Sequence, residues 1–412
     1  MKHSLAKSQV PIVLVENIAD TAVARLQDAG YTSITTLAHS PENAELAELL
    51  QEARFLGIRS RTKLDATMLQ KAPKLIGIGC FCIGTNQVNL EAARSLGIPV
   101  FNAPFSNTRS VAELTVSAII ALMRNLPEKN LQLHRGEWHK SARSAYEVRG
   151  KTLGIVGYGN IGSQVSILAD ALGMRVLFYD TATKLAHGNA QSVTDLHALY
   201  AAADIITYHV PETTQTRGMV DQKAISAMKQ GVRIINYARG SLINIDDLVS
   251  ALQHGQVAGA ALDVFPDEPE QNGPNFTSPL QAFDSVLLTP HVAGSTEEAQ
   301  SNIGLEVADK FITYSDNGST VGAVNFPAVA LPPHEHSHRL LNIHQNIPGM
   351  MSSINQVLSN DGVNITGQFL QTQADIGYVV IDIEKSLPTD TIRQYREKLQ
   401  ALPGSIRTRI LH

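Results

Sequence analysis

Three polar side chains follow short apolar runs in the second half of the 412-residue chain: Arg239 after "IINYA", Glu268 within "DVFPDEP" and His291 after "VLLTP". An imidazole titrates near neutrality, so His291 suits a general base. Glu268 suits the carboxylate that fixes the tautomer of such a base and stabilises its charged form. The planar fork of Arg239 can grip a substrate carboxylate with two hydrogen bonds. Together they suit oxidation of a 2-hydroxy acid, in which a base takes the hydroxyl proton while hydride leaves the same carbon. Singly, each has a structural reading as well: a strand-end histidine is often a cap, and "DEP" is often a solvated turn.

A hydride needs an acceptor, and "KTLGIVGYGNIGSQVSILADALG" carries the strongest local motif. Gly157, Gly159 and Gly162 stand in G-x-G-x-x-G spacing after an apolar run and before a helix that Gly173 ends. Gly157 makes the tight turn, Gly159 admits a pyrophosphate to the backbone, and Gly162 lets helix pack on strand. The helix N-terminus then offers N–H groups and a positive dipole end. The next run, "MRVLFYD", ends in Asp180. A carboxylate there can accept hydrogen bonds from both ribose hydroxyls and repel a 2′-phosphate. NAD(H) is therefore expected over NADP(H).

These residues need strands whose carboxyl ends share one side of a sheet. The sequence supplies them. From Pro11 to Phe101, short apolar runs ("PIVLVE", "ARFLGIRS", "KLIGIGC", "IPVFNAP") alternate with helical spacings. A long amphipathic helix follows in "SNTRSVAELTVSAIIALMRNL", where Ser110 and Glu113 resemble a capping box and the start lies near Asn107. From "VRGKTLGIVG" to "SVLLTPH" a second alternating region reads as a doubly wound parallel sheet. "STEEAQSNIGLEVADKFITYSDNG" reads as another helix, and "PAVALPPHEHSH" as a linker. The tail has the order strand, helix, strand, strand, helix, strand, a ferredoxin-like βαββαβ arrangement.

Composition bounds the partners. Hydrophobic residues make up 43% and charged residues 17%, with a formal net charge of −5, so neither nucleic acid nor an anionic bilayer is expected. No apolar run reaches the ~20 residues of a membrane span, and the N-terminus lacks a signal-peptide pattern, so a cytoplasmic protein is expected. The two cysteines, Cys80 and Cys82, read as small apolar packers. His334, His336 and His338 alternate in the linker, a spacing open to a metal, but linker histidines are normally solvated and no metal is expected.

"GIVGYGNIG", "ARG" ending at Gly240, "ALDVFPDEP" and "LLTPHVAGSTEEAQ" together resemble the D-isomer-specific 2-hydroxyacid dehydrogenase family. "GIRSRT", "FSNTRSVAEL", "SDNGSTVGAVNFP" and the tail extend the resemblance over nearly the whole chain. They narrow it to the bacterial branch with a C-terminal ACT domain. The resemblance implies a Rossmann-type NAD domain, residues 107–294, inserted in a flavodoxin-like substrate domain, residues 1–106 and 295–327. A linker at 328–338 and an ACT regulatory domain at 339–412 follow. It assigns substrate binding to Arg239, base orientation to Glu268 and proton acceptance to His291. It places Asn160, Ile161, Asp180, Tyr237, Ala238, Asp263 and Gly294 at the cofactor, with a bulky Tyr237 beside it where relatives carry a small residue. Formate dehydrogenases of this fold carry Gln at the position of Glu268, so Glu with His implies that a proton moves.

The implied substrate is D-3-phosphoglycerate, oxidised to 3-phosphohydroxypyruvate at the head of L-serine biosynthesis. Arg59, Ser60, Arg61 and Asn107 are the candidates to hold its phosphate and carboxylate. The implied effector is L-serine, bound between two ACT domains by His344 and Asn346 on a loop leaving a strand and by Asn364 of the partner subunit. Ile347 stands where close relatives carry Arg, and Asn244 where Asp is common. A homotetramer is the implied assembly. Two other readings remain open at this level: a dehydrogenase for another 2-hydroxy acid such as lactate, glycerate or 2-hydroxyglutarate, and a non-enzymatic NAD-sensing corepressor.

Overall fold

The computed structural model describes residues 5–269, 273–334 and 337–411. It forms two compact units, residues 107–299 and residues 1–106 with 300–412. His336 of the linker lies outside the described residues.

The first sheet is built from Ile12–Leu14 (β1), Ile34–Thr36 (β2), Phe55–Ile58 (β3), Gly77–Cys80 (β4) and Val100–Asn102 (β5). All pairs are parallel, in the order β2-β1-β3-β4-β5. That order is the flavodoxin-like one. β1, β3, β4 and β5 are buried along their length because helices cover both faces, with separate buried clusters around Phe55 and around Leu56. On one face the helix Glu297–Asn317 lays Val307 and Phe311 over Gly79. A Cβ there would come within 2.5 Å of Val307, so the glycine makes the close approach possible.

The second sheet has seven parallel strands: Thr152–Val156 (β6), Arg175–Tyr179 (β7), Gln191–Ser192 (β8), Ile205–Tyr208 (β9), Val232–Asn236 (β10), Val257–Leu262 (β11) and Val286–Leu288 (β12). Their order is β12-β11-β10-β9-β6-β7-β8. The order reverses between β6 and β9, and ligands of such sheets bind at that switch point. The long helix runs from Thr108 to Met123. The capping box expected from Ser110 and Glu113 does not form. Glu113 instead accepts from Arg109 one turn back (2.6 Å), and Ser110 meets Thr296 (2.9 Å).

The C-terminal module consists of Ser337–Gln345 (β13), Ile365–Gln373 (β14), Ile376–Glu384 (β15) and Ser405–Leu411 (β16), antiparallel in the order β14-β15-β13-β16. Helices Met350–Ser359 and Thr389–Gln400 contribute to the core on one face, with Ile354, Leu358, Ile392 and Leu399 buried. The other face packs Leu341, Ile343 and Tyr378 with Phe326, Val329 and Leu331. The stretch expected as a linker is thus no free tether up to Leu331. Its alternate apolar residues are buried, and Thr320 and Ser319 accept the N–H groups of Val329 and Leu331. Arg339, fully buried, forms a two-pronged pair with Asp382 (2.7 Å each) and donates to the carbonyls of Asn317 and Pro332. No helix among the described residues is long and apolar enough to cross a membrane.

Candidate active site

Each catalytic candidate sits just beyond a strand of the seven-stranded sheet. Arg239 follows β10, Glu268 follows β11 and His291 follows β12. These strands are neighbours and parallel, so their carboxyl ends bring the three residues together. Gly240 lets two of the loops meet: a Cβ there would lie 2.1 Å from the carbonyl of Phe265. Asn236 fixes the turn after β10, accepting from the Ala238 N–H (3.1 Å) and donating to the Arg239 carbonyl (2.8 Å).

Glu268 Oε2 lies 2.8 Å from His291 Nδ1, and Glu268 Oε1 accepts the N–H of Phe265 (3.1 Å). One carboxylate thus closes its own turn and orients the imidazole, leaving Nε2 of His291 for a reacting group. The Glu268 hydrogen bond and charge hold the His291 imidazole above its ordinary range, while burial opposes this. Burial pushes the Glu268 carboxyl up, but hydrogen bonds from His291 and Phe265 and the charges of His291 and Arg239 outweigh it and leave it below its ordinary value. Each group favours the charged form of the other.

His291 is one of six non-glycine residues at positive φ among the described residues (54°). Asp263, 1% exposed, holds the turn around it. Its carboxylate accepts from the Thr289 hydroxyl (2.6 Å) and the N–H groups of Val292 (2.9 Å) and Ala293 (2.8 Å). The resemblance placed Asp263 at the cofactor; the geometry adds this positioning task, which sequence reasoning missed. A carboxylate inside "ALDVF" was the available signal, since a charge ending a buried strand must be satisfied. Tyr237, expected beside the cofactor, is 5% exposed within the apolar cluster of Ile235, Ala261 and Ala293. Burial, with Asp263 adding, pushes its hydroxyl well up. Asn107 occupies the N-cap position of the long helix with its amide against Gly294, where a Cβ would lie 2.3 Å from Nδ2.

The glycine turn lies between β6 and the helix Asn160–Ala171, at the switch point. Gly157 has φ +94°, which suits glycine, and a Cβ would meet the His209 backbone at 2.8 Å. Nothing lies within 4 Å of a Cβ on Gly159, which faces open space. A Cβ on Gly162 would lie 2.2 Å from the Gly157 carbonyl oxygen. Asn160 and Ile161 open the helix. Asp180 follows β7 and accepts from the N–H groups of Tyr158 (2.8 Å) and Ala182 (2.9 Å). Lone pairs remain on both oxygens for a diol. Open backbone at a helix N-terminus, with a carboxylate beside it, fits a dinucleotide with a free 2′-hydroxyl.

In the other unit, Arg59, Ser60 and Arg61 form the loop after β3. Ser60 and Arg61 are exposed and Arg59 half-buried. The effector candidates are not gathered in one chain. His344 is not on a loop but within β13, 2% exposed, its Nδ1 held 2.8 Å from the Gln345 carbonyl and its Nε2 without a partner. Its ladder partners, Gly377 on one side and Ser405 on the other, keep β13 running where a loop was expected. Burial pushes its imidazole below the ordinary range. Asn346, exposed, donates to the Ala374 carbonyl (3.1 Å). Asn364 precedes β14. Ile365 pairs with Ile383, which pairs with His338, whereas His344 pairs with Gly377, which pairs with Thr372. Asn364 and His344 therefore lie at opposite ends of the sheet.

Comparison with known proteins agrees in both parts of the chain. Residues 116–293 match the family model "D-isomer specific 2-hydroxyacid dehydrogenase, NAD binding domain", and residues 340–407 match an "AHAS small subunit-like ACT domain". D-3-phosphoglycerate dehydrogenase of Haemophilus influenzae is 52% identical over 411 residues, covering 100% of this chain and 99% of the relative. That of Escherichia coli K12 is 51% identical, covering 100% of both. The structure of Aquifex aeolicus D-lactate dehydrogenase complexed with NAD and lactic acid is 28% identical with TM-score 0.63, over 74% of this chain and 95% of that one. The chain belongs to the D-isomer-specific 2-hydroxyacid dehydrogenase family, with the D-3-phosphoglycerate dehydrogenases.

Proposed function

We propose that the protein oxidises D-3-phosphoglycerate to 3-phosphohydroxypyruvate with NAD, the first step of L-serine biosynthesis. The observation that carries the chemistry is the Glu268–His291 pair at 2.8 Å. Full-length relatives favour this substrate over another 2-hydroxy acid such as 2-hydroxyglutarate. Bound NAD supplies the hydride acceptor. Gly157, Gly159, Asn160, Ile161 and Gly162 would hold its pyrophosphate, and Asp180 its ribose. Arg239 grips the substrate carboxylate and polarises the C2 oxygen. His291 takes the C2 hydroxyl proton on Nε2, and Glu268 stabilises the imidazolium that results. Arg59, Ser60 and Arg61 hold the phosphate. Residues 1–106 with 295–327 act as the substrate domain and 107–294 as the NAD domain.

The C-terminal module acts as the switch, with L-serine as effector and a cytoplasmic homotetramer as the working form. β14 is an edge strand, paired on one side only among the described residues. Antiparallel pairing of two such edges brings Asn364 of the partner subunit to the end of the sheet that holds His344 and Asn346. The unpartnered His344 Nε2 suits that arrangement. The test is NADH formation from D-3-phosphoglycerate with and without L-serine. Suppression by serine is expected. Activity indifferent to serine would sink the effector assignment, and no activity in either direction would sink the substrate.

A further inference from the structure

We propose that Glu16 is a positioning residue for the phosphate-binding loop: its buried carboxylate sets the backbone from which Arg59 and Arg61 reach the substrate. This rests on the reading of that loop as the phosphate site.

β1 and β3 are parallel neighbours, and the Val15 N–H continues their ladder onto the Gly57 carbonyl (2.9 Å). The chain then turns out of the ladder. Glu16 (φ 65°) and Asn17 (φ 53°) are consecutive non-glycine residues in the left-handed region. Such backbone persists only where its surroundings over-determine it. Here the Glu16 N–H is taken by the His39 carbonyl (3.1 Å) and that of Asn17 by the Leu37 carbonyl (3.0 Å).

The turn delivers the Glu16 side chain under the next loop, where it is 7% exposed. Oε1 accepts the N–H groups of Arg59 (3.0 Å) and Thr62 (2.9 Å), and Oε2 accepts that of Arg61 (2.9 Å). Three backbone donors of one loop converge on one carboxylate, and such charge-assisted bonds are the strong ones. From the other side, Gln87 donates to the Arg59 carbonyl (2.6 Å), and Ser40 meets the Thr62 hydroxyl (2.8 Å). The loop backbone is committed on both faces. Its cations are not: among the described residues, neither guanidinium has a hydrogen bond or ion pair to the protein.

A buried anion beneath an anion site works against ligand binding by charge alone. Its contribution must therefore lie in geometry. Glu16→Gln keeps the shape but turns an amide donor toward the Arg61 N–H, so one anchor becomes a donor–donor clash.

The experiment uses the full-length chain. Steady-state oxidation of D-3-phosphoglycerate is measured for wild type, Glu16→Gln, Gln87→Met and Arg61→Ala, with NADH affinity by fluorescence. Glu16→Gln is expected to raise KM by about tenfold or more, with kcat within about threefold and NADH affinity unchanged. Gln87→Met, which frees the Arg59 carbonyl together with the weaker contacts to Cys82 Sγ (3.4 Å) and the Gly84 carbonyl (3.3 Å), is expected to give a smaller rise of the same kind and serves if Glu16→Gln does not fold. KM unchanged in both variants, or KM, kcat and NADH affinity lost together, overturns the inference. If Arg61→Ala also leaves KM unchanged, the phosphate-site reading falls with it; if Arg61→Ala raises KM while the anchor variants do not, only the role of Glu16 falls.

Discussion

The molecule holds two sets of candidate residues, on two kinds of sheet, and only one set converges. In the parallel seven-stranded sheet, β10, β11 and β12 run the same way and end on the same side, so one chain brings Arg239, Glu268 and His291 together. In the antiparallel C-terminal sheet, β13 and β14 flank β15, and the register puts His344 and Asn364 at opposite ends. A parallel sheet gathers its strand ends within a chain. β13 and β14 also run the same way, each antiparallel to β15, but His344 lies near the end of its strand and Asn364 before the start of its own, so the proposed effector site would draw on a second copy. Catalysis can then be a property of the chain while regulation is a property of the assembly.

The largest effect should come from His291→Asn. It removes the proposed base, and kcat for oxidation should fall by about 10²–10⁴-fold while NADH binding persists. A loss under about tenfold would show that the gathered trio is not the catalyst.

Next comes the scattered set. His344→Ala and Asn364→Ala should each abolish serine inhibition and leave activity intact. Mixed oligomers of the two variants should regain inhibition, because one of the two sites in such a pair draws both residues from unmutated positions. No recovery on mixing, with each variant defective alone, would place the effector site within one chain.

A smaller effect is expected at the cofactor. Asp180→Ala should narrow the preference for NAD over NADP by about tenfold, about 1.4 kcal/mol, measured as a ratio of kcat/KM values. An unchanged ratio would leave Asp180 as only the acceptor for Tyr158 and Ala182.

The subtlest is a displacement along the pH axis. Glu268 holds the His291 imidazole above its ordinary value of about 6.5. In the proposed mechanism the neutral imidazole takes the proton, so oxidation should lose activity on the acid side with a midpoint above that value. Glu268→Gln should move the midpoint down. The stability linkage has the opposite sense: the raised His291 value stabilises the fold at pH below about 6.5, and that contribution is lost as pH rises through the folded value. Midpoints that coincide in wild type and variant would separate Glu268 from the base.

The trio and the glycine turn were legible because their chemistry is tied to the ends of apolar runs, and parallel topology carries sequence order into spatial order. Asp263 was harder to place. Its acceptors bridge to residues around His291, and only the pairing of β11 with β12 brings them within reach. Glu16 was not legible at all. It lies far from Arg61 in sequence, and nothing in "VEN" announces that its carboxylate will meet three N–H groups of the loop after β3.

The sequence by itself determined the alternation of strands and helices, the dinucleotide turn, the places of Arg239, Glu268 and His291 after apolar runs, and the βαββαβ tail. These follow from local periodicity, from glycine spacing and from residue chemistry, none of which needs distant contacts. Only the tertiary structure decided that the stretch from Ala328 to Leu331 is packed rather than free, that His344 is buried, and that Tyr237 turns into a core. Only it set His344 and Asn364 apart and placed Glu16 beneath the arginine loop. Each of those depends on strand register and on which apolar face finds a partner, and both are settled by burial across the whole chain rather than by any one segment.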